Sequence, residues 1–245
     1  MLFERLIPCL LWQNEGLIKT TKFKKAIYIG DATNAIRIFN DKEVDELILL
    51  DIDASKENRG PDLGLIERVA SECFMPLCYG GGISTLEDIK RVLEKGVEKV
   101  SISSAAINNP EFIKEAAKVF GSSTIVVCID YKKNLFGKNK VFTKRGAKKS
   151  NYNPIDFAKL MEEMGAGEIL IQSIDRDGTM AGYDKNILKE ITTQVTIPVI
   201  AMGGAKNIND LYNVIETTSV SAAAAGSTFV FQGKNKAVLI NYPKR

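Results

Sequence analysis

Histidine is missing altogether from this 245-residue chain. Its absence excludes Ser-His and Cys-His nucleophile systems and the usual imidazole-based zinc sites. Asp, Glu, Lys, Tyr and backbone amides are left to carry any chemistry. Cysteine is sparse. Cys9, Cys73, Cys78 and Cys128 show neither CxxC spacing nor a secretory context and are expected as reduced core thiols, with no metal site and no cofactor implied. Long apolar runs are lacking too, so no membrane span is expected. The opening Met1-Leu2-Phe3-Glu4-Arg5-Leu6-Ile7-Pro8 has neither the basic start nor the apolar stretch of a signal peptide, which makes the cytoplasm the expected location. Neither sign of charge dominates: 33 Lys and Arg against 30 Asp and Glu leave a net +3. Nucleic acid is therefore not an expected partner, although clustered lysines would favour an anionic small molecule.

What the chain does have is a pattern stated twice. Leu49-Leu50-Asp51-Ile52-Asp53 recurs as Ser173-Ile174-Asp175-Arg176-Asp177, and Tyr79-Gly80-Gly81-Gly82 recurs as Met202-Gly203-Gly204. Ser103-Ser104 matches Gly226-Ser227, and Ile7-Pro8-Cys9-Leu10-Leu11 matches Val126-Val127-Cys128-Ile129-Asp130, all at offsets of 119 to 124 residues. In the last pair Leu11 stands opposite an acid. Eight β-branched, apolar runs at 6–12, 46–53, 76–81, 99–103, 124–131, 168–174, 198–203 and 222–228 alternate with helix-period segments. Five of these segments, 62–73, 85–95, 110–120, 154–164 and 207–216, are read as helices. Ser84, Asn109 and Asn153 serve as start signals. The fold expected is α/β, a closed (β/α)8 TIM barrel with internal half-barrel duplication, formed by residues 1–245 as one domain with halves near 1–120 and 121–245. A doubly wound sheet is the alternative, but it requires neither eight units nor a half-chain repeat.

In such a barrel functional groups gather at the C-terminal ends of the strands. Gly81, Gly82, Gly203 and Gly204 each lie between a strand and a helix, where a bare backbone can approach a phosphate closely. Ser103, Ser104, Gly226 and Ser227 end the neighbouring strands and add hydroxyl and amide donors. Each half thus offers one phosphate cup, and two facing cups imply an elongated substrate with a phosphate at each end. A tight turn is the plainer reading of each glycine pair. Asp130, ending the fifth strand, is the candidate general acid or base; a helix cap or a pair with Lys132 or Lys133 is its alternative. Asp51, Asp53, Asp175 and Asp177 form a second acidic set, some of which would hold loops through backbone amides. Lysines crowd two long connections, Lys19, Lys22, Lys24 and Lys25 after strand one and Lys132 to Lys149 after strand five. These connections read as lids or as solvated charge runs, with Lys19 the one to single out. Arg5, Glu46, Lys99 and Glu168 begin strands one, two, four and six. Turned inward they would plug the barrel floor as a balanced set; exposed strand-start charges are the alternative.

Together these residues resemble the cyclase subunit of imidazole glycerol phosphate synthase, the HisF family. The likeness rests on Arg5-Leu6-Ile7-Pro8-Cys9-Leu10, Leu50-Asp51-Ile52, Gly80-Gly81-Gly82-Ile83, Lys99-Val100-Ser101-Ile102 and Gly165-Ala166-Gly167-Glu168-Ile169-Leu170. Ser173 to Thr179, with Gly178, and Gly182-Tyr183-Asp184 complete it. The resemblance implies two phosphate sites for a ribosyl-linked bisphosphate and a flexible first loop carrying Lys19. It also implies an axial channel gated by Arg5, Glu46, Lys99 and Glu168, fed with ammonia by a HisH-like glutaminase in a heterodimer. Two opposed aspartates serve cyclisation in that family and map here to Leu11 and Asp130. Ser103, Ser104, Gln172 and Met202 also depart from it. The reading that follows is an ammonia-accepting synthase subunit with a revised reaction, in the manner of paralogues associated with amidation of surface-polysaccharide sugars alongside an ATP-dependent ligase. An ordinary histidine-pathway cyclase and a noncatalytic ammonia conduit are the other two readings.

Overall fold

The computed structural model describes residues 4–134, 136–233 and 235–243. Eight strands form a parallel barrel, β1 Arg5–Gln13, β2 Leu47–Asp51, β3 Leu77–Gly80, β4 Lys99–Ile102, β5 Ile125–Lys133, β6 Glu168–Ser173, β7 Val199–Met202 and β8 Ala222–Ala225. Each pairs with the next, and β8 returns to β1 with Arg5 opposite Ala222 and Pro8 opposite Ala225, so no barrel strand is left as an edge.

Alternation along the strands separates two cores. Ile7, Cys9, Ile48, Cys78, Val126, Cys128, Leu170, Ile200 and their neighbours fill the barrel interior. Leu6, Leu10, Trp12, Leu47, Leu49 and the other outward residues pack under the helices in a larger layer. Because side chains repeat every second residue, Leu11 lies in the inward file of Cys9, and Asp130 in that of Cys128. The register therefore sets Leu11 and Asp130 at equivalent inward positions of β1 and β5.

The five expected helices form at Leu63–Ala70, Leu86–Leu93, Glu111–Phe120, Pro154–Glu163 and Ile208–Thr218. Asn153 caps its helix by accepting from the amides of Ile155 and Asp156. The other two start signals shift by one. Thr85, not Ser84, is the cap and closes a reciprocal capping box with Asp88, and Pro110 occupies the cap position after an extended Asn109. Helices Ala32–Asp41 and Lys185–Thr192 were not among the five. The former opens on Asp31, whose carboxylate accepts from Asn34, a signal masked by the lysine-rich run before it. The last expected strand, 222–228, ends at Ala225, and Ser227–Val230 turns helical. The two lysine-rich connections are hairpins rather than loops: Gly16–Thr21 with Lys24–Gly30 continues β1, and Asn139–Thr143 folds back on β5 and pairs with Lys148–Lys149.

Candidate functional site

At the N-terminal end of the barrel, four charges form a closed ring. Arg5 reaches Glu46 at 3.0 Å and Glu168 at 2.7 Å, and Lys99 reaches the same two at 3.3 and 2.9 Å. The side chains of Glu46 and Glu168 are only 4% and 9% exposed, against 27% and 21% for Arg5 and Lys99, so the exposed-charge alternative does not hold for the acids. Burial pushes the Glu46 carboxyl above its usual value, with Lys99 and Arg5 pulling against it. Burial opposes the charge of Lys99 as well, but Glu46 and Glu168 outweigh it and hold the ammonium above its ordinary range. Above the ring aliphatic side chains and thiols line the lumen together with the buried hydroxyl of Ser101.

At the opposite end two cavities open, one per half-barrel. The larger, about 110 Å³, is bounded by Gly81, Gly82, Ser103, Ser104 and Asp130. The smaller, about 30 Å³, is bounded by Gly178, Gly203, Gly204, Gly226 and Ser227. Leu11, Thr20 and Gln172 line both and form the saddle between them. The expected site residues at this mouth, Asp51 and Lys19 among them, are thereby brought together around one opening. The glycines have a packing reason as well. A side chain on Gly82 would meet the backbone of Arg59 and Gly60, and one on Gly204 would meet the Gly182 carbonyl, each at positive φ. Tight turning and close approach thus coexist at the same positions.

Asp130 stands on the saddle's flank. Burial raises its carboxyl to about 7; the Cys128 thiol, donating to it at 3.6 Å, and Ser103 moderate the rise, while the nearby Asp177 adds to it. A carboxyl that titrates near neutrality can both take and return a proton. It neither caps a helix nor pairs with Lys132, whose ammonium donates to the Gly146 carbonyl.

The second acidic set is internally engaged. Asp51 is held by Arg59 through two bonds of 2.6 and 2.8 Å and accepts from the amides of Asp53 and Ala54. Asp53 takes Gln13 and Arg145, and Asp175 takes the Lys133 amide at 2.9 Å. Asp177 accepts from Thr20 at 2.8 Å and from the Phe23 amide, tying the hairpin after β1 to the far half of the barrel. Gly178 lies so close to the Thr20 carbonyl that a side chain would collide with it.

Lys22, Lys24 and Lys25 are exposed, but Lys19 is only 4% exposed and enters the smaller cavity, where its ammonium donates to the Cys9 carbonyl. Burial lowers its pKa, with Cys9 and Asp177 opposing. Sequence reasoning missed Arg59, Thr20 and Arg145, which sit within runs of charged and polar residues indistinguishable by composition from solvated loops. Among the described residues no group of His, Cys, Asp and Glu could hold a metal ion, and no helix is long and apolar enough to cross a membrane.

Comparison with known proteins sets this geometry in a family. The model of the family described as "Histidine biosynthesis protein" matches residues 5–236. A Pseudomonas aeruginosa protein provisionally named imidazole glycerol phosphate synthase subunit hisF2 is 53% identical over 99% of this chain and 97% of its own. A provisionally named HisF subunit of Leptospira interrogans is 51% identical over 100% of this chain and 97% of its own. The imidazole glycerol phosphate synthase subunit HisF of Natranaerobius thermophilus is 42% identical, covering 99% of this chain and 96% of that one.

Proposed function

The chain belongs to the histidine biosynthesis protein family and is HisF-like over nearly its whole length, and we propose that it is the ammonia-accepting barrel subunit of a glutaminase-linked synthase. Its relatives are named as subunits of imidazole glycerol phosphate synthase, which supports a partner that supplies ammonia. The observation that carries the reading is the pair of cavities meeting beside Asp130 above a charge-sealed lumen.

In this reading each cup takes one anionic end of an elongated substrate, and the saddle holds its reacting centre. Ammonia crosses the apolar lumen as the neutral molecule, since an ammonium ion would have to surrender its hydration there without a partner. When its nitrogen lone pair forms the new bond to carbon, the nitrogen becomes cationic and sheds a proton, which Asp130 accepts as carboxylate. The same group returns a proton to a leaving oxygen. Lys19 offers a donor at the second cup.

Leu11 faces this centre where a second acid would complete a symmetric pair, and a leucine transfers no proton. A positioned acid or base contributes roughly 100-fold to 10,000-fold, so we place this chain's reaction apart from efficient two-carboxylate cyclisation. The acceptor is addressed through its anionic ends, and the relatives' names mention neither a polysaccharide sugar nor an ATP-dependent ligase. The test is turnover with excess ammonium and the ribosyl-linked bisphosphate of the histidine pathway. Binding with slow formation of imidazole glycerol phosphate, accelerated by Leu11→Asp, is expected. Failure to bind the bisphosphate overturns the reading. Rapid turnover that Leu11→Asp does not improve would instead favour the ordinary cyclase, for which the retained Asp130 and Lys19 speak. Binding without turnover, not rescued by Leu11→Asp, would favour a noncatalytic conduit.

A further inference from the structure

Two buried polar atoms on the wall of the larger cavity have no hydrogen-bond partner: Ser101 Oγ and Arg145 Nε. The first comes from the inward side of β4 and the second from the hairpin that follows β5. A guanidinium nitrogen can only donate, so Arg145 Nε lacks an acceptor. The nearby carboxylates do not supply one to it. Asp53 already receives Arg145 Nη1 at 3.0 Å and Gln13, and Asp51 is taken by Arg59. Native proteins seldom leave such a group buried and unpaired without a reason.

The internal duplication supplies one. The smaller cavity, built by the glycines of the second half, receives its cation, Lys19, from the hairpin after β1 in the first half. The larger cavity, built by the glycines of the first half, receives Arg145 from the hairpin after β5 in the second half. Because β1 and β5 are the repeat's own counterparts, the two cations cross between the halves in a symmetry-related way.

We propose that Arg145 is a specificity-determining residue, the counterpart of Lys19, that selects a phosphate-type anion in the first-half cup with help from Ser101 and Ser103. The proposal rests on the reading of the two cups as anion sites. Arg145 is 17% exposed at its side chain, so it meets the ligand from a partly desolvated position, where charge-assisted hydrogen bonds count for more. Its fork can keep one nitrogen on Asp53 and turn another to the anion, which a lysine cannot do.

Calorimetric titration of the whole chain with inorganic phosphate tests this. The unaltered protein is expected to show two sites, and Arg145→Met to weaken one of them by about tenfold or more. Arg145→Lys should give a smaller loss and keeps the test readable if the methionine variant does not fold. Asp53→Asn distinguishes recognition from stapling: it breaks the same ion pair but leaves the guanidinium in place, so phosphate binding should persist or tighten. Equal loss in Asp53→Asn and Arg145→Met, or full two-site binding by Arg145→Met, overturns the role of Arg145 while leaving the cups. No phosphate binding by the unaltered chain overturns the cup reading and this inference with it.

Discussion

Replacing Lys99 by methionine should damage the barrel floor more than replacing Glu168 by glutamine. Both substitutions remove two of the four ring contacts, so a count of ion pairs predicts equal cost. Burial predicts otherwise. Without Lys99, two carboxylates that are 4% and 9% exposed share Arg5 as their remaining ring cation. Without the Glu168 charge, the ring is left with two cations that are 27% and 21% exposed and can lean toward water. Breaking a fully buried pair costs about 3–5 kcal/mol; Arg5 still pairs with both acids, so about 2–3 kcal/mol is expected for Lys99→Met. For Glu168→Gln, partial hydration of the stranded cations reduces the cost to about 1 kcal/mol.

Urea unfolding at several pH values checks both the order and its cause. Glu46 already has a raised pKa in the folded chain, and Lys99 is the strongest influence lowering it. Removing Lys99 raises it further, so folding favours the protonated acid, and stability falls as pH climbs from the unfolded carboxyl value through the folded one. The penalty of Lys99→Met should therefore be largest at neutral pH and shrink as pH falls and Glu46 takes up a proton. A penalty independent of pH, or one smaller than that of Glu168→Gln, would refute the reasoning.

Asp130, with a folded pKa of about 7 against an ordinary 3.8, destabilises the fold once ionised; Asp130→Asn should raise stability above pH 7 and leave it unchanged below pH 4 in urea titrations, while ammonium-dependent activity falls. In the unaltered chain that activity should rise through about pH 7 as the carboxylate forms, and Cys128→Ala should move the inflection upward, because the thiol's hydrogen bond stabilises the ionised form. Gly178→Ala should destabilise the chain by about 2 kcal/mol or more and expose the segment around Lys22 to protease, since both the backbone φ of +64° and the Thr20 carbonyl oppose a side chain. Gly137→Ala, at φ +73° in open space, should cost only the backbone strain, about 1 kcal/mol.

The barrel was legible in the sequence because its signals are local and repeated. Strands sealed on both faces must be apolar throughout, and a half-chain repeat places the same turn glycines twice. Its place at the end of the fifth strand then set Asp130 at the barrel mouth. Arg145 and Arg59 were not legible, because each acquires its meaning from an acid far along the chain or across a turn. Arg145 meets Asp53 across 92 positions, and nothing in Lys144-Arg145-Gly146 records that. The hairpins after β1 and β5 were hidden by their lysines, which resemble solvated charge until pairing shows which one is turned inward. Lys19 lies between Ile18 and Thr20, both buried with it, so the exception is a property of the whole strand rather than of the lysine.

The duplication constrains backbone and side chains unequally, and that difference explains what Leu11 can and cannot change. Gly82 and Gly204 are fixed by collisions with neighbouring backbone, so a side chain at either would force the backbone around it to shift. No such constraint acts at the saddle. Leu11 and Asp130 lie in equivalent inward files but touch the cavity, where a side chain of another chemistry displaces ligand or solvent rather than backbone. A leucine there also removes a second charge from the neighbourhood of Asp130, whose carboxyl is already raised by burial and by Asp177. A carboxylate at position 11 would repel it further and hold it protonated to higher pH. Leu11→Asp should thus shift the activity profile of Asp130 upward as well as restore a second proton-transfer group. An unshifted profile in that variant would mean that the two positions do not share one reacting centre.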